Sequence, residues 1–225
     1  MWYNEIMKSI TIPISTPQKE VIIGNILGDG YLEFNGCVGT RLQIKQALKS
    51  RDYVFWLYIK FQNLCNQKPK FRKDARQWYF STRALKNLTA FHELFYKGGK
   101  KVIPDNIFKL LTSPLSLAVW YMDDGTLDYR PGYHCSFSIA THSFSLNEAQ
   151  KLVDVLKNNF CVEANVHNNF MRGIRYPRIY IGKRGRDRFI ELVSPFILDC
   201  FKYKLPQYRQ PLRDFSRIKM EGWQV

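Results

Sequence analysis

The sequence predicts an α+β chain of two similar halves, each running roughly helix–strand–strand–helix–strand–strand–helix (αββαββα). Three observations carry that prediction. An apolar helix closing on an acid and a glycine occurs twice, at residues 21–30 (VIIGNILGDG) and 117–125 (LAVWYMDDG), about half a chain length apart. Self-similarity at a fixed interval is the mark of a repeated architecture. Runs alternating polar and apolar side chains follow each copy, as half-buried strands do, and stretches with helical apolar spacing separate those runs.

Taken in order, the first apolar helix ends near Gly30, a residue suited to the left-handed position just past a helix end; Gly125 suits the same place in the second copy. Arg41-Leu42-Gln43-Ile44-Lys45 alternates strictly and reads as a strand. Residues 52–65 read as a helix, 70–72 and 77–81 as short strands, and 85–96 as another helix. In the second half, 134–139 reads as a strand. A helix over 146–160 is entered at Ser145 with Glu148 three residues on, a capping-box pattern. Strands recur at 162–167 and 178–181, and a helix follows near 186–193. Both halves close on similar segments, 100–104 (KKVIP) and 202–206 (KYKLP). The join from Gly98-Gly99 to Pro114 is short and partly apolar, which suits two halves packed on one another, divided as 1–100 and 101–225. Trp56, Trp78 and Trp120 are expected in the core.

Composition narrows the partners. The 225 residues carry 34 Lys and Arg against 19 Asp and Glu, a net charge of +15. Such an excess costs self-repulsion and usually answers a polyanion. Nucleic acid is the first candidate, with an anionic membrane surface or a ribosomal neighbour as alternatives. No apolar run reaches membrane-spanning length, so no membrane partner is expected. The N-terminus lacks the layout of a signal or transit peptide, as suits an intracellular protein, including one made inside an organelle. The five cysteines are scattered, odd in number and without a Cys-x-x-Cys, which argues against a zinc site or a disulfide framework. The four histidines show no ligand spacing, against a His-based nuclease. No Asp/Glu-x-Lys triplet supports a restriction-type core.

The two helices resemble the paired motifs of the LAGLIDADG homing endonucleases, with the nine motif positions at 22–30 and 117–125. The likeness covers nearly the whole chain. It implies a monomer carrying both motifs, whose two antiparallel sheets form a saddle over duplex DNA. It also implies cleavage of both strands at a long asymmetric site by metal-assisted phosphodiester hydrolysis. Asp29 and Asp124 would be the catalytic metal ligands. Gly28 and Asp123 complete the expected metal set, Asp123 by lining the site or offering a backbone carbonyl. Lys101 and Lys204 match basic helpers near the scissile phosphates, and Gln43 a residue that orders water. Ala140 stands where the family carries a polar partner to Gln43, so the two metal sites are expected to be unequal.

Physical chemistry fits these implications. Gly24 and Gly28 allow close helix approach, although Val119 on the second helix suggests looser packing. Helix C-terminal ends favour cations, and clustered carboxylates raise one another's pKa until a cation intervenes. A hard divalent ion, most simply Mg2+, resolves that conflict, and Mn2+ or Ca2+ can occupy the same sites. The expected DNA-reading residues are Arg41, Gln43, Lys45, Lys70, Arg72, Arg76 and Arg83, then His134, Ser136, Ser138, Asn165, His167, Arg178 and Tyr180. The major groove admits such β-ribbons. The alternatives are an RNA maturase that binds its intron RNA without cleaving, or a DNA-binding regulator that has lost activity. An organellar setting, mitochondrion or plastid, accompanies the resemblance.

Overall fold

The computed structural model describes residues 12–171 and 173–208. It has the predicted architecture: α+β, with αββαββα traced twice. In the first half, α1 (Thr16–Leu27) leads into β1 (Tyr31–Phe34) and β2 (Thr40–Ala47). Then come α2 (Arg51–Phe61), β3 (Lys70–Arg72), β4 (Gln77–Ser81) and α3 (Lys86–Phe95). The four strands form one antiparallel sheet in the order β1-β2-β4-β3. A hairpin of β5 (Tyr96–Lys97) and β6 (Lys100–Lys101), then the short α4 (Ile107–Leu110), make the join. The second half repeats the path with α5 (Pro114–Asp124), β7 (Gly125–Arg130), β8 (His134–Ala140), α6 (Leu146–Phe160), β9 (Asn165–Met171), β10 (Ile174–Ile181) and α7 (Arg186–Val193). Its sheet order, β7-β8-β10-β9, mirrors the first. A 3-10 turn, Asp199–Lys204, follows.

Local chemistry fixes the helix starts. At α1, the Ser15 hydroxyl accepts from the Gln18 amide while the Gln18 side chain accepts from the Ser15 amide, a reciprocal cap that the sequence reading did not identify. The expected box at Ser145 and Glu148 is present at α6. Glu148 also accepts from the Ile103 backbone N–H at 2.8 Å, which fastens the join to this helix. Asn159 adds two bonds of 2.8 Å to the carbonyls of Phe108 and Leu111.

Two expectations are corrected. Gly30 and Gly125 are not left-handed: neither has a positive φ, and Gly125 is extended at φ −78°, ψ 150°. Space makes them glycine. A Cβ on Gly125 would lie 1.9 Å from the Tyr121 ring, and one on Gly30 would lie 2.8 Å from both Cβ and O of Asn25. Nor does Val119 loosen the helix pair. A Cβ on Gly24 would sit 2.5 Å from the Ser116 carbonyl oxygen and 2.7 Å from the Val119 Cβ. The bare backbone of Gly24 therefore receives Val119, which is fully buried. The Ser116 hydroxyl ties the pair by donating to the Glu20 carbonyl at 2.8 Å.

One continuous core joins the halves through α1 and α5 and receives the inner sheet faces, such as Leu42 and Ile44 on β2 and Phe137 and Ile139 on β8. Trp120 lies in it, whereas Trp56 and Trp78 are only partly buried at its margin. Trp78 there takes the Arg51 guanidinium over its ring. The five cysteines are all free. Among the described residues, no helix is long and apolar enough to cross a membrane.

Candidate active site and nucleic-acid faces

The paired helices deliver three carboxylates to one place. Asp29 follows the end of α1 and is exposed; Asp123 and Asp124 close α5. Burial, then the charge of Asp29, pushes Asp124 up to about 7, against the pull of Lys101 and Lys204. Asp123 is raised well above the carboxylate range, first by burial and then by Asp29, although hydrogen bonds from Tyr53 and Asn25 oppose the shift. Asp123 Oδ2 accepts from Asn25 Nδ2 at 3.0 Å and from the Asp29 backbone N–H at 3.3 Å. Asn25 Nδ2 also donates to the Tyr53 hydroxyl at 3.1 Å. Burial, first of all, lifts the Tyr53 phenol in the same cluster.

One lysine reaches the end of each motif helix, Lys101 that of α1 and Lys204 that of α5. Lys101 donates to the Gly28 carbonyl at 2.6 Å, and Lys204 to the carbonyls of Met122 at 2.6 Å and Tyr121 at 3.2 Å. These carbonyls lie in the last turn of their helices, where a cation is favoured; that of Tyr121 also accepts from the Gly125 N–H. Burial lowers both ammonium groups, Lys204 to about 8, while the neighbouring aspartates resist the shift. The Tyr121 hydroxyl returns a bond to the Lys204 carbonyl at 2.8 Å.

Gln43 does not reach this cluster. It lies on the outward face of β2 and donates to Glu33 Oε2 at 2.7 Å, beside the Arg41–Glu33 ion pair. The side chain of β2 that does reach it is Gln46, which donates to Asp29 Oδ2 at 2.8 Å and to Asp123 Oδ1 at 3.4 Å. Strand alternation explains the difference, because Gln43 and Gln46 point to opposite faces. The pairing also moves the expected counterpart. Leu32 opposes Leu42 and Leu127 opposes Phe137, which aligns Gln43 with Ser138, Lys45 with Ala140 and Gln46 with Thr141. Thr141 is buried and donates to the Pro177 carbonyl at 2.8 Å. The halves are unequal, through Gln46 and Thr141 rather than Gln43 and Ala140.

The donor set suits a divalent cation shared with a phosphodiester. Among the described residues the Asp29 carboxylate accepts one hydrogen bond, from Gln46, and Asp124 accepts none. Among the described residues no three His, Cys, Asp or Glu side chains form a metal cage. A hard ion held by one or two carboxylates plus phosphate oxygens and waters needs no such cage. Gly28 offers only its carbonyl, which Lys101 occupies.

The outer sheet faces gather most of the predicted reading residues. Cross-strand pairing puts Arg41, Gln43, Lys45, Lys70 and Arg72 on one face of the first sheet, together with Gln77, Tyr79 and Ser81. In the second sheet it puts His134, Ser136, Ser138, Asn165, His167, Arg178 and Tyr180 together, with Asp128, Asn169 and Tyr176. The His167 ring stacks on Tyr180 at 4.5 Å. Ser136 is buried, with the His134 ring 2.9 Å from its hydroxyl, so it is closed to a base edge. Arg76 lies off the sheet, in the turn after β3, with a left-handed φ of 48°. Arg83 is turned away onto the Asn63 carbonyl at 2.5 Å, where α2 ends. Arg72 is paired with Asp74 at 2.6 Å.

Sequence reasoning missed Gln46, Asn25, Tyr53 and Glu33. Asn25 did carry a signal, since an amide inside an otherwise apolar helix must find buried partners. Tyr53 carried none, because its distance from Asp123 depends on how α2 docks.

Comparison with known proteins agrees with this geometry. A family model described as the LAGLIDADG DNA endonuclease family matches residues 19–189. The cytochrome b mRNA maturase bI2 of Debaryomyces hansenii is 29% identical over 207 residues, covering 87% of this chain and 76% of the relative. DNA endonuclease I-ChuI of Chlamydomonas applanata is 28% identical over 210 residues, covering 85% of this chain and 95% of the relative. The solved structure of the homing endonuclease I-WcaI bound to its DNA recognition sequence superposes with a TM-score of 0.75. It is 27% identical and covers 86% of this chain and 88% of that one.

Proposed function

This chain belongs to the LAGLIDADG DNA endonuclease family, and we propose that it cuts both strands of a long, asymmetric DNA site by divalent-metal-assisted phosphodiester hydrolysis. The observation that carries the reading is the convergence of Asp29 and Asp124 at the ends of two abutting helices, each leading into a polar-faced sheet. One copy of the chain holds both acids, so it acts as a monomer with residues 1–100 and 101–225 as its two halves. Each sheet enters the major groove, where base edges present a distinct pattern for every pair. When bound, a divalent cation such as Mg2+ neutralises charge at the phosphodiester and acidifies water there.

The chain's own groups do the rest. Asp29 and Asp124 hold the cations, and Gln46 orients the Asp29 carboxylate. Lys101 and Lys204 keep positive charge beside the scissile phosphates. Lys204, which gives up its proton near pH 8, is suited to hold or pass one at an attacking or leaving oxygen.

Purified protein incubated with a randomised-site plasmid library should yield Mg2+-dependent cuts at one recurring long site, lost in chelator and in Asp29→Asn and Asp124→Asn. A second reading has a finding behind it, because a relative at 29% identity is a maturase of cytochrome b mRNA. That relative also supports an organellar setting. Tight binding of intron RNA with no cleavage of any DNA would decide for the maturase.

A further inference from the structure

We infer that Asp123 is a positioning residue, through which the second half of the chain holds the catalytic centre of the first, and that the two DNA strands are in consequence cut at unequal rates. The inference rests on the endonuclease reading above. Asp123 belongs to α5, yet among the described residues its hydrogen-bond donors, the Tyr53 hydroxyl included, come from the first half. Oδ2 accepts from Asn25 and from the N–H of Asp29 itself, and Oδ1 from Gln46. The same Gln46 amide nitrogen donates to Asp29 Oδ2. Asp123 and Asp29 thus share one amide, and Asp123 fixes both the backbone and the side-chain orientation of its neighbour. With both oxygens taken up by protein donors, its carboxylate is committed to holding protein groups.

No mirror image of this clamp can exist. The matching position in the first motif is Gly28, where a Cβ would fall 2.5 Å from the Asp123 Cβ and 2.7 Å from its Oδ2. Only one of the two facing positions has room for a side chain, and Asp123 has it. The other component is missing as well, because Thr141 is committed to the Pro177 carbonyl. Asp29 is therefore held by two groups, Asp123 from across the pseudo-dyad and Gln46 from its own half, whereas Asp124 receives neither counterpart.

The test uses duplexes bearing the selected site, labelled on one strand or the other. Asp123→Asn keeps an oxygen for Asn25 and Asp29 but turns an amide N–H2 toward Gln46, donor against donor, so Gln46 is driven off Asp29. Cleavage of one strand should slow on the order of ten- to a hundredfold relative to the other, the scale for a misplacement near 1 Å, and nicked duplex should accumulate. Gln46→Ala should slow the same strand. Affinity for the duplex in chelator should be unchanged, and excess Mg2+ should leave the slow strand slow. Equal slowing of both strands by either variant, opposite strand preferences in the two, or rescue by Mg2+ would overturn the proposal. Should Asp123→Asn fail to bind DNA, Gln46→Ala decides alone. A wild-type chain that cuts nothing overturns the endonuclease reading and this inference together; one that cuts while the variants slow both strands alike overturns only the inference.

Discussion

At the scale of single residues, the charge balance of the site dictates a pH response. Asp124 titrates at about 7 when folded and near the ordinary carboxylate value when unfolded. Between those values the folded chain binds more protons, so stability falls as pH rises through that window and levels off above it. In chelator, the melting temperature should decline from pH 5 to pH 7.5, and Asp124→Asn should flatten the decline. An equal slope in the variant would mean that another group carries it. Added Mg2+ should stabilise more at pH 7.5 than at pH 5, where protons compete for the same oxygens. That Asp29, Asp124, Lys101 and Lys204 meet at the helix ends was legible because each acid and each lysine has a counterpart in the other motif's context. The strand amide was not legible. Alternation over 41–45 tells which side chains share a face, but not that the strand runs on to Gln46, where its inner face meets a helix end.

The seam between α1 and α5 is a property of elements rather than residues. Gly24→Ala would place a methyl group 2.5 Å from a backbone oxygen that cannot swing aside. Overpacking of this kind costs about 1–3 kcal/mol. Urea unfolding should show a loss in that range, with a smaller loss when Val119→Ala is added to make room. If the double variant is no more stable than Gly24→Ala, the contact with Ser116 alone sets the cost. The helix α6, with its apolar spacing and capping box, was predicted with its observed bounds, as were α7, β3 and β4. The opening strands were harder. β1 has four residues, and β7 begins on Gly125 directly after the helix, with no turn residue between them to announce a strand. Their existence follows from pairing with β2 and β8, a long-range fact.

For the whole molecule, net charge and sheet geometry together set the terms of association. A net charge of +15 on a chain that lays two sheets along a duplex implies release of many counterions. With six or more phosphates engaged, affinity for the selected site in chelator should fall about 10^3-fold or more between 50 and 200 mM salt. Fluorescence anisotropy would measure it, and a shallow slope would place the charge away from the interface. The order in which the molecule is made adds a temporal constraint. Lys204 reaches Met122 across 82 residues of sequence, from a turn that leaves the ribosome only after both sheets have been synthesised. The first lysine can settle onto α1 while the rest is still being translated. The second cannot, so a nascent chain has no complete pair of centres, and a message that terminates early encodes a protein without the second lysine.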